Sequence, residues 1–178
     1  MSRIFIALKP NKELNNYLSK LKLGLKKNLL AEENITWYVL ENHHITLNFI
    51  GKVEPEQLAE LKDNIRATIQ RPEVQVTVKN ISYFPNTSGQ IITANIKKTP
   101  VLLDMHQKIS EVVSNIGLGH SPIDYNPHIT LGRFKEKTRG QYEFPDLKPL
   151  MKTTLFSVEI YESIFEEGKS RYRVLHSF

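Results

Sequence analysis

The tetrapeptide His-Ile-Thr-Leu occurs twice in this chain, as His44-Ile45-Thr46-Leu47 and as His128-Ile129-Thr130-Leu131. An identical four-residue repeat is unusual in a chain of 178 residues, and duplication is the economical explanation for it. Two copies are too few, and too far apart, for a solenoid array. The repeat therefore predicts two similar half-structures, each of which carries one copy.

Both copies have the composition of a β-strand, in which side chains alternate between the two faces. On this basis His44 shares one face with Thr46, and His128 shares the corresponding face with Thr130. The Ile and Leu of each copy, and Phe49 beyond the first copy, are then expected to face the core. If the two halves face each other, two imidazoles and two hydroxyls surround one cleft.

Gly132 and Arg133 directly follow the second copy. Strict alternation places Gly132 on the histidine face, where the absence of a side chain leaves room for a ligand. It would also place Arg133 in the core, which is unfavourable for a guanidinium group. We therefore expect the strand to end or bulge at Arg133, so that its side chain reaches a bound phosphate.

The rest of the chain alternates between strand patterns and helix patterns. Apolar residues at helical spacing predict three helices, around residues 14–25, 58–69 and 102–116. About eight strands are predicted, at residues 3–8, 35–40, 44–50, 74–78, up to 96, 128–134, 153–165 and 171–178. Strands joined as hairpins and interspersed with helices predict an α+β fold with mainly antiparallel sheets.

Composition excludes several classes of protein. The chain has no cysteine, so disulfides, thiolate metal sites and cysteine nucleophiles are ruled out. No apolar run approaches the ~20 residues that span a bilayer, and no signal sequence precedes the first strand, so we expect a cytoplasmic protein without a membrane partner. A formal net charge of +5 favours anionic partners, phosphate-bearing substrates above all.

The predicted cleft carries groups that suit phosphodiester chemistry. Cleavage requires one proton to be removed from the attacking oxygen and another to be delivered to the leaving oxygen, and an imidazole with a pKa near ~6.5 can do either. Threonine hydroxyls can donate to the phosphate oxygens that gain charge. Zinc usually takes three or four His, Cys or carboxylate ligands, so we expect no metal and no cofactor. The other histidines lack this pattern and are expected to be structural or bystanders: His43, His106, His120 and His176.

The paired motifs resemble those of the 2H phosphoesterases. Further landmarks are similar to the RNA 2′,3′-cyclic phosphodiesterase branch, also called 2′-5′ RNA ligases: the opening strand at 3–8, Pro127 before the second copy, Ser163, Gly168 and residues 172–175. The resemblance implies one bilobal domain over residues 1–178. In it, two pseudo-symmetric, mainly antiparallel sheets with helices on their outer faces would enclose a central cleft.

The resemblance also implies metal-independent hydrolysis of a terminal 2′,3′-cyclic phosphate to a 2′-phosphate. The substrates would be RNA ends or small cyclic nucleotides, and we expect a monomer. His44 would be the general acid and His128 the general base, an assignment that the near-identical motifs do not make by themselves. Thr46 and Thr130 would hold the phosphate, and Arg133 would add a positive charge. The reverse reaction would be 2′-5′ ligation.

Two other functions stay open. One is cleavage of a different phosphodiester, such as 2′-5′ oligoadenylate, by the same chemistry. The other is a non-catalytic module that binds RNA ends, for which a basic surface and exposed aromatic rings would serve equally well. Candidates for base stacking are Phe5, Tyr38, Phe49 and Phe84, although core packing is the simpler expectation for each ring.

Overall fold

Two antiparallel sheets form the framework of the molecule, as a computed structural model shows for residues 3–28, 34–86, 89–119, 124–136, 142–166 and 169–178. The elements follow in the order β1 Arg3–Leu8, α1 Lys12–Asn28, β2 Ile35–Trp37, β3 Ile45–Gly51, α2 Pro55–Thr68, β4 Val74–Phe84, β5 Ile91–Ile96, α3 Pro100–Asn115, β6 His128–Phe134, β7 Lys152–Leu155, β8 Val158–Glu166 and β9 Lys169–Ser177. The first sheet has the strand order β3-β1-β8-β9, and the second has the order β2-β6-β5-β4-β7. Every strand pair is antiparallel, which confirms the predicted α+β class.

Side-chain caps and a glycine mark the ends of the helices. At the start of α1 the side-chain oxygen of Asn11 accepts a hydrogen bond from the Leu14 N–H at 2.8 Å. Thr99 does the same at the start of α3, where its hydroxyl accepts from the Leu102 N–H at 3.3 Å. Such caps satisfy N–H groups that have no partner inside the helix. Gly117 follows α3 with a φ of 70°, a left-handed conformation that favours glycine and ends the helix.

One continuous apolar core joins the two sheets and the three helices. The four apolar motif residues Ile45, Leu47, Ile129 and Leu131 are each at most 1% exposed and belong to this core. Full burial of such side chains contributes about 1.5–3 kcal/mol each, which fixes the motif strands against the helices. That the chain forms a single bilobal domain over residues 1–178 stays our proposal, and this shared core supports it.

The region 153–165, predicted as one strand, is in fact two strands in different sheets. β7 pairs with β4 in the second sheet, with Val74 opposite Leu155, whereas β8 pairs with β1 in the first sheet. Phe156 and Ser157 lie between them, where the chain passes from one sheet to the other. No glycine or proline separates Leu155 from Val158, so the sequence does not mark this crossover.

The strand predicted over residues 35–40 is also shorter, because it ends at Trp37. A 3-10 turn follows at Leu40–Asn42, and the His43 N–H donates to the Leu40 carbonyl at 3.0 Å. This turn brings the chain directly to the first motif. Within the described part of the chain, no helix is long and apolar enough to cross a membrane.

Candidate active site

The two His-Ile-Thr-Leu copies lie in different sheets and meet where the sheets contact each other. His44 immediately precedes β3 of the first sheet, and His128 is the first residue of β6 in the second. β3 and β6 are in contact, and the charge of His128 acts on the pKa of His44. The structure therefore brings together the two histidines that the repeat predicts.

Each histidine is held in the same way by a carbonyl two residues before it. His44 Nδ1 donates to the Asn42 carbonyl at 2.8 Å, and His128 Nδ1 donates to the Asn126 carbonyl at 2.7 Å. A carbonyl oxygen can only accept, so Nδ1 carries the proton and the lone pair of the neutral ring is on Nε2. Both rings therefore offer Nε2 for proton transfer.

Burial lowers the pKa of both catalytic candidates. It lowers the pKa of His44 to about 4, with the Asn42 hydrogen bond raising the value and the charge of His128 lowering it further. Burial also lowers the pKa of His128, against a smaller upward effect of the Asn126 hydrogen bond. Both rings are thus neutral near pH 7 in the absence of a ligand. A bound anion would favour the charged form of either ring.

Aromatic rings contact both histidines and contribute to the burial that lowers their pKa values. The centre of the Phe5 ring is 4.8 Å from that of His44, and Tyr172 meets His44 edge-on at 5.1 Å. In the second sheet Phe84 lies 4.3 Å from His128. Phe5 is buried, as expected, but in a small cluster with Ala7 and Tyr161 that is separate from the main core.

Tyr161 and Tyr172 carry no motif, and the sequence prediction did not include them among the site residues. The β1–β8 register sets Tyr161 opposite Phe5, and the β8–β9 register sets Tyr172 opposite Ser163. The contacts of Tyr161 and Tyr172 with His44 thus depend on strand pairing between segments that are far apart in the chain. In the sequence, the one indication of a role for Tyr172 was that residues 172–175 resemble the corresponding segment of the family.

The two threonines lie beside the histidines with their hydroxyls available. In the strand registers Thr46 is opposite Ala7, and Thr130 is opposite Thr93. Both threonines are half-buried. No described residue forms a hydrogen bond with either hydroxyl. Both hydroxyls can therefore donate to a ligand that enters between the sheets.

A β-bulge follows the threonine in both copies. The β1–β3 register shifts between Thr46 and Asn48, and the β5–β6 register shifts between Thr130 and Gly132. The extra residue in each strand is the motif leucine. Because a bulge resets the alternation of side chains, the residue after each leucine faces the same side as the leucine. Two consecutive residues are therefore buried in each strand.

Gly132 consequently faces the core, and its predicted position on the histidine face is wrong. A Cβ atom at this position would lie 3.0 Å from the Ile35 Cγ2 atom and 3.1 Å from the Trp37 Cε3 atom. The glycine is needed for close packing of β2 against β6 rather than for a ligand. Arg133 is exposed, as expected, although the strand neither ends nor bulges at Arg133 itself: the bulge lies at Leu131 and β6 continues to Phe134. Arg133 lines a cleft of about 620 Å³ between the sheets, together with Tyr38 and Tyr172.

The bulge in β3 also explains why the predicted core position of Phe49 is wrong. Its side chain is 59% exposed instead of lying in the core, and its ring is 6.1 Å from that of Phe5. Counting from the bulges, Phe49 occupies in β3 the position that Arg133 occupies in β6. The two halves therefore present equivalent histidines and threonines, but an aromatic ring on one side and a cation on the other.

His106, expected to be a bystander, holds the bulge of the first copy. Its Nδ1 donates to the Leu47 carbonyl at 2.6 Å, and its ring stacks on Tyr125 with centres 3.9 Å apart. One helical turn further along α3, Ser110 accepts from the Asn48 side chain at 3.0 Å. α3 thus binds the bulged backbone directly and fixes the position of the motif strand.

Replacing His106 by phenylalanine tests this anchoring, because a phenyl ring keeps the stack on Tyr125 and removes the hydrogen bond. The Leu47 carbonyl is then left without its partner, and we expect the free energy of unfolding to fall by about 1–3 kcal/mol. Urea unfolding measures this change. His176→Phe on the edge strand β9 is the control, with an expected change of about 0.5 kcal/mol or less. Equal stability of His106→Phe and wild type would contradict the anchoring role.

The remaining histidines have ordinary structural surroundings. His43 is 2% exposed, and its Nδ1 and Nε2 contact Asn15 and Lys22 at 3.3 and 3.2 Å. His176 lies near Arg66 at 3.0 Å. His120 and Gly168 lie outside the described residues. Among the residues that the structure does describe, no three His, Asp or Glu side chains gather as they would around a metal ion.

The fold and the paired motifs together define the class of protein. Two antiparallel sheets, each with one His-x-Thr copy at their junction, form the architecture of a 2H phosphoesterase. A model of the 2′-5′ RNA ligase superfamily matches residues 12–161, and the chain belongs to this superfamily.

Known proteins are similar to the chain over nearly its whole length. It is 26% identical to an RNA 2′,3′-cyclic phosphodiesterase of Thermotoga maritima, with 98% of this chain and 93% of the relative covered. An RNA 2′,3′-cyclic phosphodiesterase of Methanocaldococcus jannaschii is also 26% identical, with 92% and 99% covered. The fold is similar to that of Escherichia coli LigT without ligand, at a TM-score of 0.79, 19% identity, and 99% and 96% coverage. It is likewise similar to TT0787 of Thermus thermophilus, at a TM-score of 0.83, 18% identity, and 99% and 96% coverage.

Proposed function

We propose that this chain is an RNA 2′,3′-cyclic phosphodiesterase, a hydrolase that converts a terminal 2′,3′-cyclic phosphate to a 2′-phosphate. The observation that carries the proposal is the matched pair of imidazoles. His44 and His128 come from different sheets and are held in the same tautomer by backbone carbonyls, and the charge of His128 lowers the pKa of His44. The relatives in Thermotoga maritima and Methanocaldococcus jannaschii bear the name of this activity.

The proposed reaction uses one imidazole on each side of the phosphate. Nε2 of His128 removes a proton from water, and the water oxygen forms a bond to phosphorus. The bond between phosphorus and the 3′ oxygen breaks, and Nε2 of His44 gives its proton to that oxygen. The product carries a 2′-phosphate and a 3′-hydroxyl. This division of roles follows the family resemblance, and exchanging the roles describes ligation through microscopic reversibility.

The proton on His44 arrives with the substrate. With a pKa of about 4 the free ring is neutral at pH 7, so it cannot act as an acid until its charged form is favoured. The phosphate of the substrate is an anion, and an opposite charge within a few ångströms raises the pKa of an imidazole. Binding of a neutral analogue would leave the ring uncharged, so the acid is formed selectively around the substrate.

Three further side chains are proposed to hold the phosphate. Thr46 and Thr130 would donate their hydroxyl protons to the non-bridging oxygens, which gain charge as the water oxygen attacks. Arg133 would contribute a guanidinium group that can bind two oxygens at once. These roles are supported by the shared face with the histidines and by the available hydroxyls of both threonines. Arg133 is exposed in a cleft that is also lined by Tyr172, which contacts the ring of His44.

The direct test is an assay of the purified protein with a nucleoside 2′,3′-cyclic phosphate. Chromatography that separates the 2′-phosphate from the 3′-phosphate is expected to show the 2′ isomer alone. Excess EDTA is expected to leave the rate unchanged, because the proton transfers need no metal. A rate that EDTA abolishes and an added divalent cation restores would contradict metal independence, and formation of the 3′ isomer would contradict the proposed bond cleavage.

The same assay separates the alternatives. A higher kcat/KM for 2′-5′ oligoadenylate than for cyclic phosphate ends would favour the second phosphodiesterase function. Tight binding of 2′-phosphorylated RNA with no turnover would favour the non-catalytic module. We also propose that the chain is a cytoplasmic monomer. Support for RNA as the partner comes from the net charge of +5.

A further inference from the structure

A second pocket, of about 740 Å³, adjoins the site on the second sheet. Its volume is in the range that holds a nucleotide-sized ligand. The residues that matter for its chemistry come from β4, β5 and the segment after β5: Lys79, Asn80, Ser82, Asn95, Lys97 and Lys98. None of them belongs to the two motifs.

The pocket begins where the site around His128 ends. Asn95 is opposite His128 in the β5–β6 register. Phe84, whose ring contacts His128, also lines the pocket, as does Asn126, whose carbonyl holds the ring of His128. A ligand bound at His128 and extended along this sheet would therefore enter the pocket directly.

Three lysines give the pocket a strong positive potential. Lys79, Lys97 and Lys98 are all exposed, and no carboxylate of the described residues lies within ion-pair distance of them. Several uncompensated charges of one sign in a concave surface raise the local concentration of anions. A polyanion is thus the ligand that this pocket attracts.

A network of amides and hydroxyls fixes the floor of the pocket. The Asn95 side-chain nitrogen donates to Asn80 Oδ1 at 2.9 Å and to Ser82 Oγ at 2.8 Å. Its oxygen accepts from the Thr93 hydroxyl at 3.0 Å. These bonds orient the Asn80 amide, whose nitrogen has no hydrogen-bond partner among the described residues. An oriented N–H donor beside three ammonium groups is suited to phosphate oxygens.

We propose that this pocket binds the nucleotide on the 5′ side of the cyclised one, and that it makes the protein select RNA chains over mononucleotides. The inference rests on the proposed function. A terminal 2′,3′-cyclic phosphate occupies both lower ribose oxygens, so the chain continues only through the 5′ oxygen and its phosphate. That phosphate would be held by Lys79, Lys97, Lys98 and the Asn80 amide. Such contacts position the strand without reading its sequence.

The test compares two substrates and two triple variants. Lys79→Ala, Lys97→Ala and Lys98→Ala together remove the charge of the pocket. We expect this variant to show a kcat/KM about tenfold or more below wild type on a trinucleotide with a 2′,3′-cyclic phosphate, and to stay within about twofold of wild type on the mononucleotide. The matched control removes three exposed lysines of α1, Lys12, Lys20 and Lys27, and is expected to leave both substrates unaffected.

The salt dependence gives a second readout. For single strands the slope of log kcat/KM against log salt concentration becomes shallower by about 0.7 for each phosphate that the protein no longer neutralises. The slope on the trinucleotide should therefore become shallower in the pocket variant and stay unchanged in the control. Equal decreases in both variants, or equal decreases on both substrates, would overturn the proposal.

A binding measurement separates this proposal from the proposed function. Fluorescence anisotropy of a labelled trinucleotide with a 2′-phosphate needs no turnover. Weaker binding in the pocket variant, but not in the control variant, supports the pocket. This holds even if the wild-type protein hydrolyses neither substrate, in which case only the catalytic proposal fails. Equal affinity of wild type and the pocket variant would refute the pocket and leave the catalytic proposal intact. Competition by inorganic phosphate would show whether a free anion suffices.

Discussion

Replacing His128 by alanine is expected to lower kcat by about 100-fold to 10,000-fold, and His44→Ala is expected to do the same. Each substitution removes the imidazole nitrogen that is proposed to carry a proton to or from the reaction on its side of the phosphate. The half-site that remains still has its threonine, so binding should change much less than turnover. Single-turnover measurements with a cyclic-phosphate substrate separate the two effects.

The two substitutions are not expected to add. Once one proton transfer is removed, the other contributes little, so His44→Ala combined with His128→Ala should be about as slow as either single variant. His176→Ala is the control for removal of a histidine outside the cleft, and thermal unfolding verifies that each variant is folded. Turnover within about tenfold of wild type in both single variants would contradict acid–base catalysis by this pair.

The protein is expected to lose stability as the pH falls below about 6.5, because His43 and His44 are buried as neutral rings. Burial lowers the pKa of His43 to about 3, with smaller contributions in the same direction from the charges of Lys22 and His44. It lowers the pKa of His44 to about 4. In the unfolded chain both titrate near 6.5. The unfolded state thus binds more protons between these values, and acid favours it.

The size of the effect follows from the pKa difference. Each histidine contributes stability that is complete above about pH 6.5 and declines by about 1.4 kcal/mol per pH unit until its folded pKa is reached. Urea unfolding at pH 7 and pH 5 should therefore differ by several kcal/mol. His43→Gln can keep both hydrogen bonds, to Asn15 and Lys22, without a titrating ring. It should reduce the pH dependence of the free energy of unfolding by about half. Stability that is the same at both pH values would contradict the neutral burial.

The two halves differ at the second position after the bulged leucine. Phe49 offers an aromatic surface on the His44 side, whereas Arg133 offers a cation on the His128 side. The pocket with its three lysines also lies on the side of His128. The site is therefore asymmetric, with an aromatic surface on the side of His44 and positive charge on the side of His128.

Local chemistry made much of the molecule predictable from the sequence. The duplicated His-x-Thr motif indicated two half-structures, and the stripes of Leu14 and Leu18 or of Leu102 and Met105 indicated helices, because apolar burial has the period of the element that carries it. The unfavourable burial of a guanidinium indicated that the strand would end or bulge near Arg133, so that this side chain would be exposed. Each of these predictions depended either on residues close together in the sequence or on the preference of a single side chain for water.

Strand pairing was not predictable in this way. Side chains alternate strictly only in a strand without bulges. The faces predicted for Gly132 and Phe49 were therefore wrong, because both residues follow bulges that are visible only in the pairing with the neighbouring strands. The prediction also joined β7 to β8, although these strands pair in different sheets. The rings of Tyr161 and Tyr172 lie near His44 because of registers between segments far apart in the chain.

The sequence by itself determined the reactive groups, the class of fold and the pairing of two equivalent motifs, since these depend on residue types and their short-range spacing. Only the tertiary structure decided which nitrogen of each ring is free, how far burial lowers the imidazole pKa values and which side chains enter the cleft. Those properties depend on hydrogen-bond partners and on the exclusion of water. Both arise from contacts between distant segments, which residue order does not encode locally.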